Sequence, residues 1–186
     1  MDDQTAATYA RLAESIVSLK MLPRTGWLQR GIPAAESVAE HSFGIAALAL
    51  VFTAADSSFD REQLLAMAIV HDLAEALLGD LPLSARRLIG ESVKHDAERR
   101  AMAELCVALP GGDYLIRLWE EYAAGTTREA RFVKALDRVE TLVQALAYER
   151  AGNRSLDEFW TGATEGLTEF PHLAMFVTWL AAQRPV

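Results

Sequence analysis

The amino-acid sequence predicts an all-α fold, and three observations carry that expectation. Apolar residues recur at helical spacing along most of the chain. Several of these runs begin with Ser, Thr or Asp followed three residues later by Glu or Gln, the pattern of a reciprocal N-terminal cap. No segment alternates apolar and polar residues with a period of two. The length of 186 residues is that of one compact domain, with no internal repeat and no low-complexity stretch.

Taken in order, Tyr9, Leu12, Ala13, Ile16 and Leu19 form an apolar stripe, so a first helix is expected to reach about Met21. Pro23, Gly26 and the run Gly31-Ile32-Pro33 keep the next stretch irregular. Ser37 with Glu40 opens a second helix that continues to about Ala55, and Asp60 with Gln63 opens a third that Gly79 stops. Gly79-Asp80-Leu81-Pro82 reads as a turn, with Pro82 free to begin a short helix. Glu91 to Leu109 is a further helix closed by Pro110-Gly111-Gly112, and Asp113 can cap one running through Tyr122. Thr126 with Glu129 caps a long helix from about Thr127 to Ala151; Ser155 with Glu158, and Pro171, mark two more. The expected total is seven or eight helices in a single domain.

Composition narrows the function. Hydrophobic residues make up 51% and charged residues 24%, which suits a packed core rather than disorder. With 18 Lys and Arg against 26 Asp and Glu, the net charge of −8 argues against a nucleic-acid polymer as partner. A small anion remains open, because a local Arg or a metal can overcome the net field. Cys106 is the only cysteine, so no intrachain disulfide is possible, and its apolar surroundings place it in the core. The acidic N-terminus lacks the basic and apolar regions of a signal peptide, and the longest apolar run, Ile45 to Val51, is far short of a membrane span. The expectation is a soluble, cytoplasmic protein with no membrane partner.

Of four histidines, two precede Asp. His71-Asp72 follows the apolar run Leu64 to Val70, where an imidazole and a carboxylate cost several kcal/mol unless paired or metal-bound. His95-Asp96 lies on a solvated, charged face. On a continuous third helix Glu75 stands one turn from both His71 and Asp72. His41 adds an imidazole from the second helix, and Asp137 interrupts the apolar pattern of the long helix, facing inward. His41, His71, Asp72 and Asp137 thus offer two nitrogens and two carboxylates from three helices, a set suited to a divalent Mn, Fe, Co, Ni or Zn ion with positions left for water and substrate. Each could instead be a satisfied polar residue of the core. Arg86-Arg87 and Arg99-Arg100 are read as exposed helix faces, Trp119, Tyr122, Trp160, Phe176 and Trp179 as core or dimer interface, and His172 as structural.

The ordered set His41, His71-Asp72, Asp137 resembles the HD-domain phosphohydrolase superfamily, and most closely its 5′-deoxynucleotidases. The similar segments are Pro23-Arg24-Thr25-Gly26-Trp27, Glu36 to Ser42, His71-Asp72-Leu73-Ala74-Glu75, Gly79-Asp80-Leu81 and Lys134-Ala135-Leu136-Asp137. The match extends over about Leu19 to Glu149, and the tail after Gly152 carries no recognised motif. The resemblance implies one HD domain over 1–186, a compact helical bundle with its metal-site core at about 19–149 and covering helices at 153–186. It makes His41, His71, Asp72 and Asp137 the ligands of a divalent cation (Co, Mn, Fe, Ni, Zn or Mg). Glu75 and Asp80 become acids around the attacking water and the sugar, with a second cation near them, and Arg24 and Trp27 become substrate contacts. One departure is visible: a bacterial branch has Arg directly before Trp, whereas Thr25-Gly26 intervenes here, leaving the phosphate contact open between Arg24 and Arg30. Trp27 offers a face on which a base could stack.

The implied activity is hydrolysis of a deoxynucleoside 5′-monophosphate to deoxynucleoside and phosphate by a homodimer. The cation activates water, and Glu75 orients that water or passes a proton to the leaving oxygen. Two rival readings keep the same residues: an HD hydrolase acting on a triphosphate, an alarmone or a cyclic dinucleotide, and a helical scaffold whose metal is structural.

Overall fold

The computed structural model describes residues 1–185. Eleven helices follow one another among them: α1 (Asp3–Met21), α2 (Thr25–Leu28), α3 (Val38–Thr53), α4 (Arg61–Val70), α5 (Glu75–Leu78), α6 (Leu83–Ile89), α7 (Glu91–Cys106), α8 (Gly112–Ala124), α9 (Arg128–Arg150), α10 (Asp157–Trp160) and α11 (Pro171–Ala181). Among the described residues there is no strand, only an isolated antiparallel bridge between Pro23 and Ser37. The chain is all-α, as its periodicity predicts. The helix count exceeds seven or eight because α2, α5 and α10 are single turns, too short to print a 3.6-residue pattern on the sequence. Among the described residues no helix is long and apolar enough to cross a membrane.

The caps explain most boundaries. Ser37 Oγ accepts from the Glu40 amide while the Glu40 carboxylate accepts from the Ser37 amide at 2.7 Å, so the box that opens α3 is complete. Asp60 caps α4 through the Gln63 amide. At α9 the cap is Thr127, not its neighbour Thr126; the adjacent threonines leave the register ambiguous in sequence. Gly111 rather than Asp113 precedes α8, and α7 stops at Cys106, short of Leu109. Leu156, not Ser155, stands at the start of α10.

α9 is the spine, 23 residues and so about 34 Å long, with α3, α4, α8, α10 and α11 packed on it. Phe132, Val133, Leu136, Val139, Leu142 and Leu146 are buried on several of its faces and anchor the main apolar cluster. A second cluster, built from Leu19, Val38, Leu73, Ala74, Met102, Leu105, Cys106 and Trp119, lies among α1, the turn into α5, α7, α8 and the start of α3. Cys106 is buried there as a free thiol.

The two clusters meet where the expected third helix breaks. α4 ends at Val70, which belongs to the main cluster, while Leu73 and Ala74 belong to the second. Between them the backbone tightens: the amides of Leu73, Glu75 and Ala76 reach back three residues, to Val70, Asp72 and Leu73. One straight helix from Asp60 to Gly79 cannot place both sets of side chains in their clusters. No Gly or Pro marks the break, so tertiary packing overrides local propensity. Gly79 does stop the next turn, at φ +75°.

Because Ser37 fixes the first turn of α3, which carries His41, Ser37→Ala is expected to destabilise the protein by about 1 kcal/mol in urea unfolding.

Candidate active site

Four side chains converge at the seam between the clusters. His41 comes from the first turn of α3, His71 from the last residue capping α4, Asp72 from the tight turn and Asp137 from the middle of α9. His41 Nε2 lies 3.1 Å from Asp137 Oδ1 and 4.0 Å from Asp72 Oδ2, and His71 Nε2 lies 3.0 Å from Asp72 Oδ2. His41, His71 and Asp137 each offer a ligand atom within 4.8 Å of the others. The sequence-expected set is therefore assembled in space.

The imidazoles are oriented from behind. His71 Nδ1 is 2.9 Å from the Ala68 carbonyl, and His41 Nδ1 is 2.5 Å from Glu140 Oε2. Each Nδ1–H donates away from the cluster, which leaves the Nε2 lone pairs pointing into it. Both Nε2 atoms are buried and have no hydrogen-bond partner. An orphaned buried nitrogen costs about 1–3 kcal/mol, and two of them facing two carboxylates fit a divalent cation.

Glu140, 7% exposed, is a residue that sequence reasoning passes over. Its signal is an acid one turn from Asp137 inside the buried stripe Leu136, Val139, Leu142. To reach His41 it crosses the backbone of α3 at Gly44, where a Cβ would lie 2.8 Å from Glu140 Oε1. That close approach is why α3 has a glycine there.

The charges of the cluster balance poorly without a cation. Burial opposes ionisation of Asp72, but His71 and His41 hold it well below the usual carboxylate range; Asp137 is lowered likewise by His41. Burial and Arg24 press the His41 pKa down, yet Asp137 and Glu140 raise it to about 10. Glu75 is buried, with Oε2 unpartnered, and burial together with Asp72 and Asp80 pushes its carboxyl up to about 10. Glu75 reaches this position from the start of α5, not from a continuation of α4.

Above the cluster opens a cleft of about 600 Å³. Arg24, Arg30, Arg86, Lys134 and Arg138 line it against the carboxylates of Asp80, Asp137 and Glu158. Five cations against three acids make this surface locally positive on a chain of net charge −8. Arg24 donates through Nη1 to Glu36 Oε1 at 3.3 Å and to Thr141 Oγ1 at 3.2 Å, which pins it at the cleft floor. Arg30 pairs with Glu158 at the rim. Arg86, expected on an exposed helix face, lies in the cleft wall with its Nε buried and unpartnered.

Asp80 lines the cleft with one oxygen already committed. Its Oδ2 accepts from the Thr25 amide at 2.5 Å and the Thr25 hydroxyl at 2.8 Å. Thr25, the residue that separates Arg24 from Trp27, thereby ties the loop before α2 to the turn before α6. Trp27 differs from expectation: it is 1% exposed, donates through Nε1 to Glu36 at 2.8 Å, and stacks on Phe159 at 4.5 Å with Tyr148 against it edge-on. Although Trp27 borders the cleft, its ring is almost wholly buried, so it offers little open face for a base. His95 stays outside, exposed and stacked on Trp119, and His172 is exposed beside Phe52 and Phe132.

A family model described as HD domain matches residues 16–172. The chain belongs to the HD-domain family. A Bos taurus protein named 5′-deoxynucleotidase HDDC2 is 34% identical over 188 residues, covering 99% of this HD-domain chain and 89% of its own. The PH0347 protein from Pyrococcus horikoshii OT3 superposes with a TM-score of 0.81 at 34% identity, over 93% of this chain and 98% of that one. A Magnetospirillum magnetotacticum MS-1 protein described as a predicted metal-dependent phosphohydrolase does so with a TM-score of 0.72 at 27% identity, over 96% and 92%.

An acid raised by folding lowers stability once the pH passes its unfolded value, because the folded state must then keep a proton the unfolded state has lost. In chelator, Glu75→Gln is therefore expected to exceed wild type in stability at pH 7 by up to about 3 kcal/mol, with most of the gap gone by pH 5. Urea unfolding at the two pH values checks this; equal stability at both would contradict the assignment of a neutral Glu75.

Proposed function

We propose that this HD domain is a metal-dependent phosphomonoesterase that hydrolyses deoxynucleoside 5′-monophosphates to deoxynucleoside and phosphate. The observation that carries the reading is the pair of buried, unpartnered Nε2 atoms facing Asp72 and Asp137 at the floor of a cationic cleft. The 5′-deoxynucleotidase name of the Bos taurus relative supports the substrate class.

His41, His71, Asp72 and Asp137 hold the cation, of the Co, Mn, Fe, Ni, Zn or Mg group. When bound, it supplies Lewis acidity toward a phosphate oxygen and a water. Arg24, fixed through Nη1, directs the rest of its guanidinium at the phosphate, with Arg30 the other candidate at the rim. Glu75, buried beside Asp72 and Asp80, donates to the leaving 5′-oxygen or orients the water. Asp80, with Oδ2 locked by Thr25, stands by the sugar. Its proximity to Glu75 supports a second cation between them.

The reading takes 1–186 as one HD domain, with the site in 19–149 and the helices after 153 covering it; the packing of α10 and α11 on α9 supports this. It takes the assembly as a homodimer, supported by the exposed apolar side chains Phe43, Leu50 and Val51 on α3 and Met175 and Trp179 on α11. It places the protein in the cytoplasm, where such nucleotides are available.

Metal analysis and phosphate release from a nucleotide panel, with and without added Co²⁺ or Mn²⁺, test the reading. His71→Ala and Asp72→Ala are expected to lose metal and activity while keeping helical circular dichroism, and His95→Ala to match wild type. Stoichiometric metal in both site variants would refute the ligand set; bound metal with no phosphate released from any nucleotide would favour a scaffold.

Selectivity supplies a second test. A ribose 2′-hydroxyl crowded or badly paired beside Asp80 is disfavoured by about 1–3 kcal/mol. Asp80→Asn, which retains an acceptor for Thr25, is expected to narrow the kcat/KM ratio of deoxyadenosine to adenosine 5′-monophosphate about tenfold. Equal losses on both substrates would instead assign Asp80 to catalysis or the second cation.

A further inference from the structure

Resting on the nucleotidase reading, we propose that Phe159, on the single turn α10, is the platform on which the nucleobase of the substrate stacks. The cleft that contains Asp137, Arg24 and Asp80 is continuous with a wall made by Phe159, so one ligand can reach both. A nucleotide presents a phosphate to the first group and a flat base to the second.

The expected platform, Trp27, is covered by Phe159 itself. The two rings lie 4.5 Å apart and 24° from parallel, and Trp27 is immobilised by Tyr148 and by its hydrogen bond to Glu36. Phe159 is thus the outermost ring of an aromatic stack. Partly buried, it still lines the cleft, and a base laid on it continues the series. The Arg30 guanidinium stands over the ring, 5.7 Å from its centroid and paired with the neighbouring Glu158, so a base that stacks on that face takes its place or lies against it. Stacking needs only a π-face and tolerates every base, so this wall grips nucleotides without choosing strongly among them.

A four-residue helix cannot hold a ring in place unaided. α10 is pinned on both sides of Phe159. Leu156 is fully buried, and Trp160 donates through Nε1 to Glu149 Oε1 at 3.1 Å. Arg184 donates to Glu149 at 2.7 Å and to Asp157 at 2.5 Å, and its guanidinium lies over the Trp160 ring. The platform is rigid before the ligand arrives, which limits the ordering cost of binding.

The test compares Phe159→Leu, which keeps apolar packing on Trp27 but removes the ring, with Phe159→Tyr, which keeps it. Substrates are deoxyadenosine and thymidine 5′-monophosphates and, as a base-free control, deoxyribose 5-phosphate. Phe159→Leu is expected to raise KM for both nucleotides about ten- to hundredfold with kcat and metal content little changed, and to leave the control substrate unaffected. Phe159→Tyr is expected to restore wild-type KM. An unchanged nucleotide KM in Phe159→Leu, or equal losses on all three substrates, would overturn the proposal; equal losses would mean that Phe159 acts only through the packing of Trp27. Equilibrium dialysis of the metal-loaded proteins with deoxyadenosine 5′-monophosphate separates this from the parent reading. If wild type hydrolyses no nucleotide yet binds it more tightly than Phe159→Leu, the nucleotidase reading fails while the platform stands. If both proteins bind it equally, the platform fails.

Discussion

The contact between His41 Nδ1 and Glu140, closed at 2.5 Å inside the core, orients what the rest of the site depends on. It decides which nitrogen of a buried imidazole carries the proton and so which one is free to ligate. It also dictates structure at a distance. α9 must lie close enough to α3 for a carboxylate to cross the backbone, and that proximity excludes any side chain at position 44. A tautomer, a helix–helix spacing and a glycine are one constraint seen three times.

The second organising force is charge. Asp72, Glu75, Asp80, Asp137 and Glu140 are gathered near one another, with Arg24 as the fixed counter-charge beneath them. Without a cation, a second proton on His41, at the Nε2 that would otherwise ligate, and a retained proton on Glu75 offset part of this carboxylate charge. The cleft above carries more cations than acids despite the acidic chain, so an anion entering it is offered Arg30, Arg86 and Lys134 on its walls and Arg24 at its floor. Net charge, which argues against a polymer, says nothing about a cleft of this size.

Much of this is legible in the sequence, and the reasons it stops are physical. Helical class follows from period and caps, and the convergence of His41, His71, Asp72 and Asp137 follows from polar residues set in apolar runs. The break after Val70 is not legible, because it is imposed by two clusters pulling Val70 and Leu73 apart rather than by a Gly or Pro. Trp27 and Phe159 change roles because a lone aromatic in sequence does not reveal which of two stacked rings is outermost. Arg86 reads as a solvated pair with Arg87, since only the fold shows that α6 turns one of them into the cleft.

The seam on which the site sits has a mechanical consequence. Asp137 belongs to α9 of the main cluster and His41 to α3, whose first turn reaches the second cluster through Val38, whereas the turn from His71 to Glu75 leads directly into the second. A cation held by all four residues would add a crosslink between the two clusters to the continuity that α3 and α8, which carry side chains of both, already provide. Because it binds the folded state alone, the stabilisation grows with the logarithm of free metal concentration over its dissociation constant. Loss of metal thus costs the fold as well as the chemistry, because the same four residues serve both.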